Sequence, residues 1–172
     1  MKGSLLALAG AVLVASGCGG SSKVRKPTVG ADGSLNVAIK VLKHGQQVIA
    51  LVPVTIDGKG PFTFAIDTGA SQSLVDSSVA SKLGVPSTGN KHPVAGITNV
   101  TNVKTLVVKR WSVGGVELPP TTVVETNLPF GNASGGVQGL LGSDMLSQFD
   151  VITIDYAHQQ LRLHHRAVKS HG

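Results

Sequence analysis

Phe64-Ala65-Ile66-Asp67-Thr68-Gly69-Ala70-Ser71 is the stretch on which the reading of this chain turns. An apolar run with strand character ends in a carboxylate and then meets a glycine turn. Taking a carboxylate out of water is costly unless hydrogen bonds or a second charge compensate. A strand that delivers a lone Asp to a tight turn therefore does little for stability, which makes Asp67 the first candidate for chemistry. Upstream, Asp57-Gly58-Lys59-Gly60 is a hairpin signal that joins a strand over 48–56 to one over 62–66. Pro53 within the first of these marks an edge or a bulge. Downstream, Ser73-Leu74-Val75 reads as a short strand. Asp76 is a suitable N-cap for a helix over 77–83, Gly84 closes that helix, and Pro86 prevents its resumption.

A second segment, Gly139-Leu140-Leu141-Gly142-Ser143-Asp144-Met145-Leu146, follows far downstream. Asp-Thr-Gly after apolar residues, with Ala-Ser behind it and an apolar-apolar-Gly segment later in the chain, resembles the retropepsin-like aspartic peptidases. The resemblance spans about residues 48–163, in the family's order. It implies that Asp67 is catalytic and that Thr68, Gly69, Ala70 and Ser71 support the catalytic loop. It further implies that Leu140, Leu141 and Gly142 buttress that loop from behind. Residues 92–100 occupy the place of the family's flap, with Gly96 and Ile97 at its tip. Asp144 falls where the family places a buried polar residue, a structural role.

Charged residues make up 14% of the chain and apolar residues 41%, which is a globular composition. At 172 residues there is room for one core. Aromatic residues are only 3%, so that core is built from Val, Leu, Ile and Ala. The formal charge is +6, but no element interleaves basic with aromatic residues, which argues against a nucleic-acid partner. One cysteine excludes an intramolecular disulfide, and no Cys/His set has zinc spacing. His164, His165 and His171 read as a solvated tail, so neither metal nor cofactor is expected.

Met1-Lys2 and the apolar residues 5–15 read as a secretory signal, too short to span a bilayer as a helix. The run Val14-Ala15-Ser16-Gly17-Cys18-Gly19-Gly20 resembles a bacterial lipobox, with Ala15 in place of the usual leucine. That resemblance implies cleavage after residue 17, lipidation of Cys18 and an exported protein anchored at the cell membrane or envelope. Ordinary cleavage, giving a secreted or periplasmic soluble protein, is the alternative. Residues 18–34 are Gly/Ser-rich and basic, the composition of a flexible tether. The expected domain runs over 35–165, and 166–172 form a basic polar tail.

From Leu35 the pattern turns to β. Val37, Ile39 and Val41 alternate as a half-buried strand should. Residues 103–111 read as one long strand, Gly114-Gly115 as a turn, and 116–118 with 121–125 as the rest of the hairpin. A helical turn over 143–147 and a closing hairpin of 151–154 with 160–164 complete the chain. The expected fold is all-β, a small closed or nearly closed barrel with one or two short helices, equivalent to one lobe of an acid protease.

Peptide hydrolysis without a covalent intermediate needs a base to take a proton from water and an acid to polarise the carbonyl. Two carboxylates about 3 Å apart that share one proton supply both. This chain carries one Asp-Thr-Gly, so the resemblance implies a homodimer with one Asp67 from each copy. An extended peptide or protein substrate would pair backbone to backbone beneath the flap. A retropepsin-like binding or assembly module without hydrolytic activity is the second reading.

Overall fold

The computed structural model describes residues 25–85, 104–128 and 136–165. Cys18 with the segment before it, the flap residues Gly96 and Ile97, and the tail 166–172 lie outside the described residues.

The chain begins with two short strands, β1 (Thr28–Val29) and β2 (Leu35–Ala38), and continues through β3 (Lys40–His44), β4 (Gln47–Ile56) and β5 (Lys59–Ile66). Strand β6 (Leu74–Asp76) leads into helix α1 (Ser77–Leu83). Strands β7 (Lys104–Val108), β8 (Trp111–Val113), β9 (Val116–Leu118), β10 (Thr121–Thr126) and β11 (Gly139–Leu141) follow. Helix α2 (Ser143–Leu146) and strands β12 (Phe149–Asp155) and β13 (Gln160–His165) complete it. Nine strands form one sheet in the order β7-β10-β6-β11-β5-β4-β8-β9, with β3 on the side of β4. A four-stranded sheet, β1-β2-β13-β12, is the second layer. The fold is mostly β, a curled half-barrel with two short helices; among the described residues the ends β7 and β9 do not pair with each other.

The β4–β5 hairpin forms as its turn residues dictate. Asp57 and Gly58 both take left-handed backbone conformations, φ 47° and 77°, between the paired Ile56 and Lys59. That is the two-residue turn whose twist matches the flanking strands. Alternation then sends Val52, Val54, Ile56, Phe62 and Phe64 to one face, where all are buried in the main core with Trp111, Val113, Leu141 and Met145. Each such side chain contributes about 1.5–3 kcal/mol of hydrophobic stabilisation. The ladder slips between Val54 and Ile56, just beyond Pro53. Leu161 and Leu163 of the small sheet are fully buried against the same core and tie the two layers together.

Three expectations are corrected. The alternation from Val37 to Val41 is not one strand, because the chain changes sheets at Ile39. Val37 pairs with Leu161 in the small sheet, whereas Val41 pairs with Ala50 in the large one. Residues 103–111 are likewise broken at Lys109-Arg110. Strand β7 pairs with β10, and β8 pairs with β4 and β9. An alternating pattern records which side chains are buried and is blind to a change of partner. The tether is also shorter than its composition implies. Thr28–Val29 pair with Leu35 and Asn36, and Ser34 is buried.

Helix α1 follows its sequence signals closely. Asp76 caps its first turn through the Ser78 N–H at 2.9 Å, and Gly84 ends it at φ 68°. The Lys59 ammonium donates to the Lys82 and Leu83 carbonyls at 2.8 and 3.0 Å, covering the C-terminal oxygens. The second oxygen of Asp76 accepts the Leu128 N–H at 2.9 Å, so this one carboxylate also holds the end of β10. Burial opposes its charge, but hydrogen bonds from Ser78 and Leu128 outweigh that and hold the carboxyl below its ordinary value of 3.8. A depressed carboxyl stabilises the fold above the unfolded-state pKa and loses that contribution as pH falls through the folded one. Asp76→Ala is expected to cost about 1–3 kcal/mol at neutral pH, since two partly buried donors lose their acceptor. Urea denaturation at pH 7 and again near pH 3 should show the difference between variant and wild type shrinking in acid. A difference unchanged with pH would contradict this role.

Candidate active site

Strand β5 runs parallel to β11, and β11 runs antiparallel to β6. Residues 67–73, which connect β5 to β6, must therefore arch over the end of β11. That arch carries the Asp-Thr-Gly segment. The Asp67 N–H donates to the Leu141 carbonyl at 3.0 Å, which extends the β5–β11 ladder one residue past the strand and fixes where the carboxylate emerges. Two bonds close the turn behind it. Ala70 N–H donates to the Asp67 carbonyl at 3.2 Å, and Gly69 N–H donates to Asp67 Oδ1 at 3.0 Å. Asp67 is half-buried, while Thr68, Gly69 and Ser71 are exposed at the rim.

Gly69 offers its N–H to the carboxylate as expected, but not through a backbone that only glycine adopts; it is absent from the left-handed residues. A Cβ there would stand 3.3 Å from Asp67 Oδ1, a tight contact that a shift of a few tenths of an ångström in that side chain would relieve.

The predicted buttress lies where the arch needs it. Leu141 is buried in the core and Leu140 is half-buried on the opposite face of β11. Gly142 passes directly under the arch, where a Cβ would meet the Gln72 backbone at 2.7 Å and the Ala70 carbonyl at 2.9 Å. Backbone cannot yield as a side-chain end can, so alanine has no room there. Gly139 is similarly required at the start of β11, because a Cβ would stand 2.3 Å from the Phe64 ring.

Side chains then clamp the two segments. The buried Ser73 hydroxyl donates to Asp144 Oδ1 at 2.7 Å and accepts the Gly142 N–H at 3.0 Å. The Ser73 N–H donates to Asp144 Oδ2 at 3.0 Å. Asp144 Oδ1 also accepts the Met145 N–H at 2.9 Å. From the other end of the arch, the Ala70 carbonyl accepts both the N–H and the hydroxyl of Ser143, at 2.8 and 3.0 Å. Asp144 is half-buried, and these bonds tie it to the exit of the arch. Ser73 and Ser143 are additions that the motif did not single out. The available signal was a serine at the head of an apolar strand and another immediately after the buttress glycine. At Ser73, which is buried, the hydroxyl must find a partner within the protein.

Gln138 completes the frame. Its N–H donates to the Thr63 carbonyl at 2.7 Å, its Oε1 accepts the Thr63 N–H at 3.1 Å, and its carbonyl accepts the Asp76 N–H at 2.9 Å. Among the described residues, no group of three or more His, Cys, Asp or Glu stands together as a metal site would require.

A family profile described as aspartyl protease matches residues 52–145, from within β4 to the second helix. Among solved structures, the chain is similar to a retropepsin-like aspartic protease from Rickettsia conorii at 17% identity and a TM-score of 0.47. That match covers 78% of this chain and 84% of the other. It is also similar to the retroviral protease-like domain of Ddi1 from Leishmania major, at 17% identity and a TM-score of 0.45. There 71% of this chain and 97% of the other are covered. A comparison with curated proteins finds no match. The profile spans more than half of the 172 residues and includes both the Asp67 arch and the Gly142 buttress, so the chain belongs to the aspartyl protease family.

Proposed function

We propose that this protein is an aspartic endopeptidase whose active site is assembled from two copies, with one Asp67 from each. The observation that carries the reading is the hydrogen-bonded arch. Asp67 sits at its start, oriented by the Gly69 N–H at 3.0 Å and locked to β11 through Leu141. A carboxylate placed this firmly at a partly open rim is preorganised for proton transfer, and such placement is the larger part of what a catalytic base requires. The chain supplies one such carboxylate, whereas the chemistry needs an acid and a base at once. A two-fold axis beside Asp67 provides both from one sequence, through an isologous contact.

In that arrangement one carboxylate takes a proton from the attacking water, and its protonated partner donates to the scissile carbonyl oxygen. Collapse of the tetrahedral species returns a proton to the leaving amine. Thr68 is exposed beside Asp67, and in this reading it would hydrogen-bond across the axis and hold the paired loops. The residues that anchor the arch, Ser73, Ser143 and Asp144, act by positioning only.

Asp67→Asn keeps a side chain able to accept the Gly69 N–H but cannot hold the shared proton. Cleavage of a peptide library by this variant should fall at least a thousandfold, with an unchanged circular dichroism spectrum and melting temperature. Wild-type rates in a folded variant would refute the assignment.

The lipobox-like run that ends at Cys18 supports a second part of this proposal, a protein held in the cell envelope by a lipid on Cys18. Thr28–Val29 is the first strand among the described residues and follows Cys18 closely in the sequence. Cys18→Ala should release the protein from the membrane fraction and abolish fatty-acid labelling. Unchanged membrane association would contradict the anchor.

A further inference from the structure

The outer face of the small sheet carries a groove that hydrolysis at Asp67 does not use. Val37, Leu161 and Leu163 are buried in the core. Alternation sends their neighbours to the other face, and register sets Thr28, Asn36 and Arg162 in one row across β1, β2 and β13. Toward the β12–β13 turn lies a groove of about 380 Å³. Its donors are the Arg25 guanidinium, the Lys26 ammonium, the Thr28 hydroxyl and the amides of Asn36 and Gln160, with His158 beside them. Among the described residues, no carboxylate lines it.

Two basic residues in a Gly/Ser-rich stretch are ordinarily a solvated linker. Here the chain just after them is held down. Thr28–Val29 pair with Asn36 and Leu35, and Pro27 lies against the β8–β9 turn, where a Cβ on Gly115 would stand 2.9 Å from Pro27 Cδ. The Ile39 N–H donates to the Gln159 carbonyl at 3.0 Å, which ties the floor of the groove to the β12–β13 turn. Asp155, the partner of Gln160 in the ladder, is already engaged. Its Oδ1 accepts the His158 N–H at 2.9 Å, and its Oδ2 lies 2.8 Å from His158 Nδ1 and 3.3 Å from the Arg162 guanidinium. The ion pairs among the described residues include neither Arg25 nor Lys26. Two unmatched cations therefore stand beside a set of neutral donors, a composition suited to an anionic oxygen group.

We propose that this groove seats the phosphate headgroup of an anionic lipid and turns the small sheet toward the bilayer. A phosphodiester is negative and only accepts hydrogen bonds, which complements a lining of donors. The short chain before the groove argues for a membrane source. Arg25 follows Cys18 by seven residues of Gly/Ser-rich composition, a coil of about 15 Å, so a lipid on Cys18 would hold the groove near the headgroups. Beside an anionic leaflet each such cation strengthens binding about fivefold. The choice of occupant rests on the proposed anchor at Cys18, whereas the groove and its charges do not.

The test uses full-length Cys18→Ala protein, which carries no lipid, with vesicles of phosphatidylcholine alone or with about one third phosphatidylglycerol. The readout is the ratio of the two partition coefficients, which any apolar attachment through residues 5–15 leaves unchanged, so the result does not depend on the anchor. The ratio should favour the anionic vesicles and fall about twentyfold to thirtyfold in Arg25→Gln with Lys26→Gln. Lys43→Gln with Lys109→Gln removes the same charge from exposed residues outside the groove, and should change the ratio less than about twofold. Asn36→Ala alters no charge and should lower the ratio about threefold. Equal loss in the two double variants would reduce the effect to net charge. An unaltered ratio in Asn36→Ala would reduce it to a basic segment brushing the surface. Either result overturns the proposal, as does equal partitioning of the Cys18→Ala protein into both vesicles. Titration with inorganic phosphate covers the remaining source, since saturable binding without a vesicle preference would assign the groove to a free anion instead.

Discussion

The Ser73 hydroxyl stands between a backbone and a carboxylate, and the geometry of the site depends on it. It accepts from Gly142 and donates to Asp144, which joins the exit of the Asp-Thr-Gly arch to the turn beyond β11. A hydroxyl is suited to this because it donates and accepts at once. In a buried place, each bond left unmade would cost about 1–3 kcal/mol. The result is an arch whose two ends are fixed to the same few residues of β11 and α2. Asp67 therefore moves only if the core moves with it. This rigidity explains why a three-residue strand lies at the centre of a nine-stranded sheet. Strand β11 matters less for its own ladder than for what its end supports.

Close approach and left-handed backbone explain where glycine is indispensable. Gly142 and Gly139 adopt no conformation that requires glycine, yet both lie where another element passes within 3 Å of the missing side chain. By contrast, Gly58, Gly84, Gly114 and Gly115 are needed for their left-handed backbone. Gly114 combines both constraints, since a Cβ there would meet the Val37 side chain at 2.0 Å. The two sheets therefore close on each other at a place where only the smallest residue fits.

Much of this was legible in the residues. Asp57-Gly58 specified its hairpin, Asp76 and Gly84 bounded their helix, and the Asp-Thr-Gly loop and Leu140-Leu141-Gly142 marked two segments that the fold brings together. These are local signals, in which a residue's own conformational preference decides the outcome. Non-local choices were not legible. Nothing in Val37-Ala38-Ile39-Lys40-Val41 marks the point at which the chain leaves one sheet for another, because both halves alternate in phase. The Ser73–Asp144 bond joins residues 71 positions apart and has no periodic trace.

The central claim is that one chain supplies half of a catalytic pair, and subunit mixing tests it most directly. Wild-type protein and Asp67→Asn protein are combined at fixed total concentration, allowed to exchange, and assayed across the range of mole fractions. If both Asp67 carboxylates are needed, mixed dimers are inactive and activity follows the square of the wild-type fraction. Activity strictly proportional to the wild-type fraction would mean that each copy works alone, and would contradict the account.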